Sequence, residues 1–418
     1  MRILITGATG FIGSSLAAAL TAGGHEVIAC THRRNAGGQG IVVDYMRDLH
    51  EVDWLPRVRG VDAVINAVGI LRETAGASFD ALHHRAPAAL FRACDRAGVR
   101  RVIQISALGA DDRATSAYHL SKKAADDELR QLDLDWTIVQ PSVVFGRAGA
   151  STRLFLRLAS LPIIPLVGDG NQAMQPIHIE DLTALVVKLI EENKALHQTV
   201  HAVGPRGVAL REMLRSYRTR MGMGSPLFLR MPLPLIRLAA KFGDVLKSGA
   251  LSTETLTMLL RGNTGDVGPI TATLGHAPRP VDDFMSPAEG DLLRAETVLQ
   301  WLRPLLLGSI AVMWITAGIV SWLYAGDEGR ALLAGLGLPP GTAQGAFAGA
   351  CLFDVGLGIA TLRPTRVVWA MQLIVIAFYT AALTHVAPQL WADPFGPLVK
   401  NLPLAALILG LMSLEKED

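Results

Sequence analysis

Three side chains in the first third of the sequence have the types and spacing needed for proton transfer. Tyr118 and Lys122 stand four apart in SAYHLSKKAADDEL, a helical pattern that puts both on one face. A phenol ordinarily titrates near ~10, too high for a general acid or base at neutral pH unless a cation lowers it. Lys122, one turn away, carries such a charge. Ser106 stands just past the apolar run of RRVIQISALGA and can hydrogen-bond a reacting oxygen. A Tyr and a Lys four apart are by themselves an ordinary helix surface. Their chemical meaning comes from the elements that precede them.

The chain opens MRILITGATGFIG, a short buried-type strand that breaks at Thr6-Gly7, with glycines at 7, 10 and 13. An amphipathic helix follows from Phe11 to Leu20, ended by Gly23-Gly24. The first glycine permits the tight turn, the second lets backbone approach a pyrophosphate, and the third allows close helix–strand packing. The backbone of Gly7, Thr9, Gly10, Phe11, Ile12 and Gly13 is therefore the expected phosphate cradle, at a helix N-terminus whose free N–H groups favour an anion.

A second strand, His25 to Cys30, ends in Thr31-His32-Arg33-Arg34, with no acid between Glu26 and Asp44. An acid at that tip would take ribose hydroxyls, whereas arginines accommodate a 2′-phosphate. Arg33 and Arg34 thus point to NADP(H) ahead of NAD(H); the plain alternative is a solvated loop. Asp44, in GIVVDYMRD, is expected either against adenine or as a helix N-cap. The fourth strand, Val61 to Gly69, closes on Asn66, Ala67 and Gly69, small enough to let a cofactor pass. A helix over 79–97 ends at Gly98, and a fifth strand places Ser106 at its carboxyl end. This alternation predicts an α/β fold, a doubly wound parallel-sheet Rossmann domain, which binds ligands at that end of its strands.

TGATGFIG, Ser106 and Tyr118-x-x-x-Lys122 together resemble the short-chain dehydrogenase/reductase family, in its extended or atypical branch. DWTIVQPSVVFG and GDGNQAMQPIHIEDL are similar to that branch's sixth-strand turn and to the opening of its substrate part. The resemblance covers residues 1 to about 280. It implies that Tyr118 is the acid/base, that Lys122 lowers its pKa and holds the nicotinamide ribose, and that Ser106 orients substrate. It also implies that Pro141 and Val144 line the cofactor. The nearest group holds the NADPH-binding accessory subunit of respiratory complex I and quinone-biosynthesis-associated reductases, some of which turn nothing over. The stretch Val143 to Arg147 departs from the Tyr-Gly of many sugar epimerases, which speaks against a nucleotide-sugar substrate.

Composition separates the rest of the chain. The 418 residues carry a formal net charge of +2, which gives no ground for a nucleic-acid partner. Half are apolar and 18% charged, with the apolar excess collected after about residue 304. Three scattered cysteines, Cys30, Cys94 and Cys351, have no metal-type spacing, so no metal site or structural disulfide is expected. The opening strand leaves no place for a signal peptide, and the N-terminal part is expected in the cytosol. Between 205 and 250, nine Arg and Lys face only Glu212 and Asp244 and are interleaved with PLFLRMPLPLIRLAAKF. That pattern suits either a segment against an anionic membrane or a solvated helix. The Gly-, Pro- and Asp-rich stretch 262–289 reads as the end of the soluble domain.

Domains are accordingly expected at 1–280 and 304–418, with 281–303 as linker. Apolar stretches at 304–326, 343–362, 367–387 and 397–414 predict an all-α four-helix transmembrane bundle, similar to the DoxX-like membrane domain. Arg294, Arg303, Arg363 and Arg366 place both termini in the cytoplasm of a multi-pass protein of the cell (inner) membrane. Asp354 falls inside the second span, with Lys400, Gln372 or His385 as expected partners; it either serves a site or is simply protonated.

Read whole, the sequence predicts a membrane-anchored NADP(H)-dependent oxidoreductase acting on a carbonyl or alcohol of an apolar, quinone- or lipid-like molecule. The lipid bilayer is a partner and a membrane complex is another candidate. The alternatives are a non-catalytic NADPH-binding redox sensor or assembly protein, and an epimerase or dehydratase.

Overall fold

The computed structural model describes residues 1–32, 40–246, 251–394 and 396–415. The chain divides into two compact units, Met1–Thr297 and Val298–Asp418.

In the first unit, apolar β-branched runs pair as a seven-stranded parallel sheet. Its members are β1 (Arg2–Thr6), β2 (Glu26–Thr31), β3 (Ile41–Val42), β4 (Ala63–Asn66), β5 (Arg101–Ile105), β6 (Asp135–Pro141) and a late strand, Gln198–Ala202. The late strand lies outside β6, and the order continues inward β6-β5-β4-β1-β2-β3. Chain order reverses between β1 and β4, which opens a crevice at their carboxyl ends. Alternate residues serve opposite faces. Leu4, Val64 and Val102 pack with Trp54, Leu90, Phe91 and Leu129. The latter come from α2 (Glu51–Val58), α3 (Ala86–Ala97) and α4 (Ala117–Arg130). Ile3, Ile5, Ile65 and Ile103 pack with Leu16 of α1 (Phe11–Ala22) and with Leu185 and Leu189. The π-helical turn Asp80–Arg85 leads into α3, which ends at Gly98 with φ +75°.

Smaller elements build the rest of this unit. These are β7 (Val144–Phe145), α5 (Ala150–Ser160), β8 (Ile163–Val167), β9 (Ala173–Met174), β10 (Ile177–His178) and α6 (Ile179–Glu191). After β11, the late strand, come β12 (Val208–Ala209), α7 (Leu210–Arg220), β13 (Leu227–Met231), α8 (Leu233–Leu246), α9 (Thr253–Arg261) and α10 (Gly268–Leu274).

The stretch 262–289 is not a loose end. Ile270 and Leu274 are fully buried beneath the sheet, and Phe284 and Met285 join a third core cluster. Its glycines and prolines mark caps and tight approaches: a Cβ on Gly265 would lie 2.8 Å from the His201 ring. Nor is 287–303 irregular. Helix α11 runs from Pro287 to Tyr324, started by a reciprocal cap in which the Ser286 N–H and hydroxyl donate to Glu289, while Ser286 Oγ accepts the Glu289 N–H.

The second unit is helical, with α12 (Gly326–Gly335), α13 (Pro340–Ala360), α14 (Arg366–Val386) and α15 (Asn401–Ser413). Among the described residues three helices, α11, α13 and α14, are long and apolar enough to cross a membrane. The fourth expected span is shorter: α15 has 13 residues, or about 20 Å, against a hydrocarbon core of about 30 Å. It still packs into the bundle through Ile408 and Leu411. Backbones approach closely where glycine allows it, as at Gly358, whose Cβ would lie 2.8 Å from the Ala311 carbonyl.

Candidate active site

The glycine loop is built for an approaching backbone or anion. Gly7 has φ +67°, and a Cβ there would meet the Ala67 carbonyl at 2.7 Å. A Cβ on Gly13 would lie 2.1 Å from the Gly7 oxygen. Gly10 N-caps α1 without any side-chain cap, and the first turn holds no acid, so its N–H groups remain for a ligand. Thr9 and Gly10 are exposed, and Phe11 turns inward to lie where a Cβ on Gly146 or Gly149 would clash. This cradle at the β1–β4 switch point fits a dinucleotide pyrophosphate.

The other expected cofactor residues are distributed around it. Ala67 and Gly69 follow β4, and Gly69 is exposed. Asn66 is fully engaged inside the sheet: its amide accepts from Thr6 Oγ1 and donates to Gln104 Oε1 at 2.6 Å. Asp44 closes a tight turn by accepting the Met46 N–H at 3.0 Å, which leaves its carboxylate part-exposed beside Arg47. The neighbouring Tyr45 hydroxyl accepts the Gly7 N–H at 3.1 Å. Pro141 ends β6, where its carbonyl takes the Leu108 N–H, and Val144 opens β7. Arg33 and Arg34 lie outside the described residues.

Helix α4 carries the candidate chemistry. Ser116 caps it by accepting the His119 N–H, and Glu254 at the start of α9 accepts the Tyr118 N–H at 2.8 Å. Lys122, one turn after Tyr118, is buried and donates to the carbonyls of Val68 (2.9 Å) and Ile105 (3.1 Å), which ties together the ends of β4 and β5. Ser106 follows Ile105 and donates to Asp126 at 2.5 Å. Asp126 also accepts from Gln104, so a continuous buried chain runs Thr6–Asn66–Gln104–Asp126–Ser106 across three strands and into α4.

Burial sets the electrostatics. It pushes the Asp126 carboxyl up to about 6, against the hydrogen bond from Ser106 and the charge of Lys122, and it brings the Lys122 ammonium down to about 8. It also pushes the Tyr118 phenol up to about 12, with no lowering by Lys122. The Lys122 ammonium is held by two backbone carbonyls and lies in the field of Asp126.

His83 completes the cluster, and the sequence reading missed it. It sits in the π-helical turn, stacked on Phe79 at 5.1 Å and edge-on to the Tyr118 ring at 5.3 Å. Its Nε2 accepts the Ile70 N–H at 3.0 Å, which assigns the proton to Nδ1, facing Ser121 Oγ at 3.0 Å. Burial and Lys122 lower its pKa to about 2, so it is neutral. A Cβ on Gly69 would lie 3.3 Å from Lys122 Nζ and 3.7 Å from His83 Nε2, so a side chain at 69 would crowd both groups. An i, i+4 scan along one helix gives no signal for a residue that meets Tyr118 from another element.

In the second unit the intramembrane acid Asp354 is buried and accepts from the Tyr379 hydroxyl at 3.1 Å. None of its three expected partners holds it. Lys400 and His385 are exposed, and Gln372 is spent between Trp314 Nε1 (3.0 Å) and Thr361 Oγ1 (2.9 Å). Helix packing, invisible in a linear reading, selects Tyr379.

Comparison with known proteins assigns both units. Residues 3–204 match the NAD dependent epimerase/dehydratase family, and residues 311–409 the DoxX-like family. The chain is 28% identical over 241 residues to subunit 9 of the NADH dehydrogenase [ubiquinone] 1 alpha subcomplex of Mus musculus, covering 55% of this chain and 63% of that protein. It is 28% identical over 258 residues to a ceramide reductase of Caulobacter vibrioides, covering 59% and 78%. The chain thus spans less than two thirds of the mouse relative's length. A nucleoside-diphosphate-sugar epimerase from Staphylococcus aureus superposes with a TM-score of 0.55 at 16% identity, covering 68% of this chain and 99% of that one. A short-chain dehydrogenase/reductase superfamily protein from Agrobacterium tumefaciens with bound NAD gives 0.54 at 18% identity, covering 72% and 100%. The N-terminal unit thus has a Rossmann-type NAD(P)-binding fold and is similar to the NAD dependent epimerase/dehydratase family, and the C-terminal unit is helical and similar to the DoxX-like family.

Proposed function

We propose that this protein is a membrane-anchored NADP(H)-dependent oxidoreductase acting on a carbonyl or alcohol of an apolar, lipid-like molecule. The observation that carries this reading is the convergence of the Gly7–Gly10–Gly13 cradle with Tyr118, Lys122 and Ser106 at the carboxyl ends of β1, β4 and β5. The family and the ceramide reductase relative support it. A nicotinamide nucleotide would supply or accept hydride. The residues of this chain do the remainder: Tyr118 gives or takes the oxygen's proton, and Ser106, held by Asp126, orients that oxygen. Lys122 fixes the cleft wall and reaches for ribose, and neutral His83 packs the phenol in place. In this reading both termini face the cytoplasm.

A binding-only role has one observation in its favour, the phenol raised to about 12 with its cation engaged elsewhere. Tyr118→Phe separates the two. It is expected to bind NADPH as wild type does and to lose turnover of a lipid carbonyl by about 10²–10⁴-fold. Lys122→Ala is expected to weaken both. Full activity in Tyr118→Phe would refute the assignment.

A further inference from the structure

One surface of the Rossmann unit is built like neither its core nor its solvated faces. β13 and β8 pair in parallel, and on their outer side Ile163, Leu227 and Leu229 are 54%, 66% and 51% exposed. The chain passes straight from β13 through Pro232 into α8. There, among the described residues, Ile236 and Ala240 are buried against Leu256 of α9, while Leu235, Leu238 and Phe242 are 53%, 53% and 61% exposed. At 100° per residue these last three fall within a stripe about 60° wide, well apart from the buried pair. The ribbon and the stripe thus offer two exposed apolar surfaces consecutive in the chain, of the kind that marks an interaction site.

Cations border it. Arg230, Arg237 and Lys241 are exposed, and among the described residues none pairs with a carboxylate. On the same wheel Lys241 lies about 60° from the Leu238 edge of the stripe, whereas Arg237 lies farther round, beside Asp244, whose carboxylate is bonded to Thr253 of α9. A two-fold contact between copies would set these cations against one another. An anionic surface satisfies them, and an amphipathic helix with basic flanks is the form that lies in a bilayer interface. The same chain carries three helices fit to cross a membrane, so a bilayer is always within its tethered reach.

We infer that α8 and the outer side of the β8–β13 ribbon rest on the surface of an anionic lipid bilayer. The placement has a consequence for the candidate active site. Helix α8 packs on α9, whose Glu254 holds the Tyr118 N–H and whose Arg261 bonds the Gly109 carbonyl and Asp111. The docked surface is thus two helices from the phenol, on the side from which an apolar molecule could leave a leaflet. The inference does not depend on the chemistry proposed above, since it holds for a non-catalytic protein as well.

The test uses the full chain in nanodiscs that hold one copy each. The native cysteines Cys30, Cys94 and Cys351 are buried, so a thiol-reactive, environment-sensitive fluorophore will select Phe242→Cys. In bilayers containing phosphatidylglycerol the label should emit to the blue and be quenched by headgroup nitroxide lipids. In phosphatidylcholine alone the docked fraction should fall. Arg237→Gln with Lys241→Gln should reduce the docked-to-undocked ratio roughly 25-fold, at about fivefold per cation. A label at Val52→Cys on α2, an apolar position 64% exposed, should remain aqueous and unquenched. Aqueous emission from position 242 in both bilayers would overturn the inference. So would blue-shifted emission that lipid nitroxides do not quench, which would mean that protein covers the helix, and so would quenching indifferent to lipid charge.

Discussion

The two units each bury an aspartate, and they satisfy it in different ways. Asp126 in the Rossmann unit accepts from Ser106 and Gln104 and lies in the field of Lys122, one turn away. Asp354 in the helical unit accepts from one neutral hydroxyl, that of Tyr379, and no cation pairs with it among the described residues. The first acid is the hub of a network that fixes strand ends, a structural investment that returns as a positioned Ser106 and Lys122. The second is a costly group with one partner, the pattern by which intramembrane ionisable residues mark sites. A buried charge is informative through the partners it keeps.

Removing the cation should break the first network most severely. Lys122→Met leaves Asp126 without compensation and two carbonyls without a donor, at a cost of about 3–5 kcal/mol. The Rossmann unit's melting transition should fall steeply while the helical unit's stays in place, as separate near- and far-ultraviolet melts would show. A shared loss would mean that Lys122 supports more than this network.

The second effect is read against pH. The Asp126 carboxyl titrates near 6 when folded, above its ordinary 3.8, so protonation favours the folded state. Its contribution is fully present below about pH 4, fades as pH rises through 6, and amounts to about 3 kcal/mol. Asp126→Asn has no such carboxyl. The wild type's melting temperature relative to the variant's should therefore drop between pH 4 and 6 and level off above. Buried neutral His83 and His119 bend both profiles alike and cancel in the difference.

The third effect has the opposite sign. Asp354→Leu removes a group that costs at least ~2.5 kcal/mol on insertion scales, so thermal stability should hold or rise. If Asp354 serves a lipid site, turnover falls with NADPH binding retained. Unchanged turnover in the folded variant would make the helical unit an anchor alone. The smallest effect belongs to the start of α11, where Ser286→Ala should cost about 1 kcal/mol by removing the cap that Glu289 completes.

These cases also show what a linear reading can reach. The glycine cradle, the strand alternation and the Tyr118–Lys122 face are local patterns that point to a parallel sheet, whereas its late edge strand, Gln198–Ala202, is not read from them. Ser286-Pro287-Ala288-Glu289 is a capping signature in plain sequence, but the glycines and prolines around it suggested a linker. His83 beside Tyr118, Tyr379 on Asp354 and the burial of Phe284 and Met285 are contacts between elements, decided by packing that no local period encodes. The engagement of Lys122 with the β4 and β5 ends belongs to the same class.

The most direct measurement follows hydride itself. The purified full chain, wild type and Tyr118→Phe, would be given NADPH deuterated at the transferable position of the nicotinamide, together with a bacterial lipid extract, and the lipids then searched by mass for gained deuterium. The account predicts that wild type labels one carbonyl-derived lipid product, and that Tyr118→Phe binds the nucleotide equally and labels none. Tight NADPH binding by both proteins, with no deuterium in any lipid from either, would contradict it and leave a nucleotide-binding protein that does not turn over.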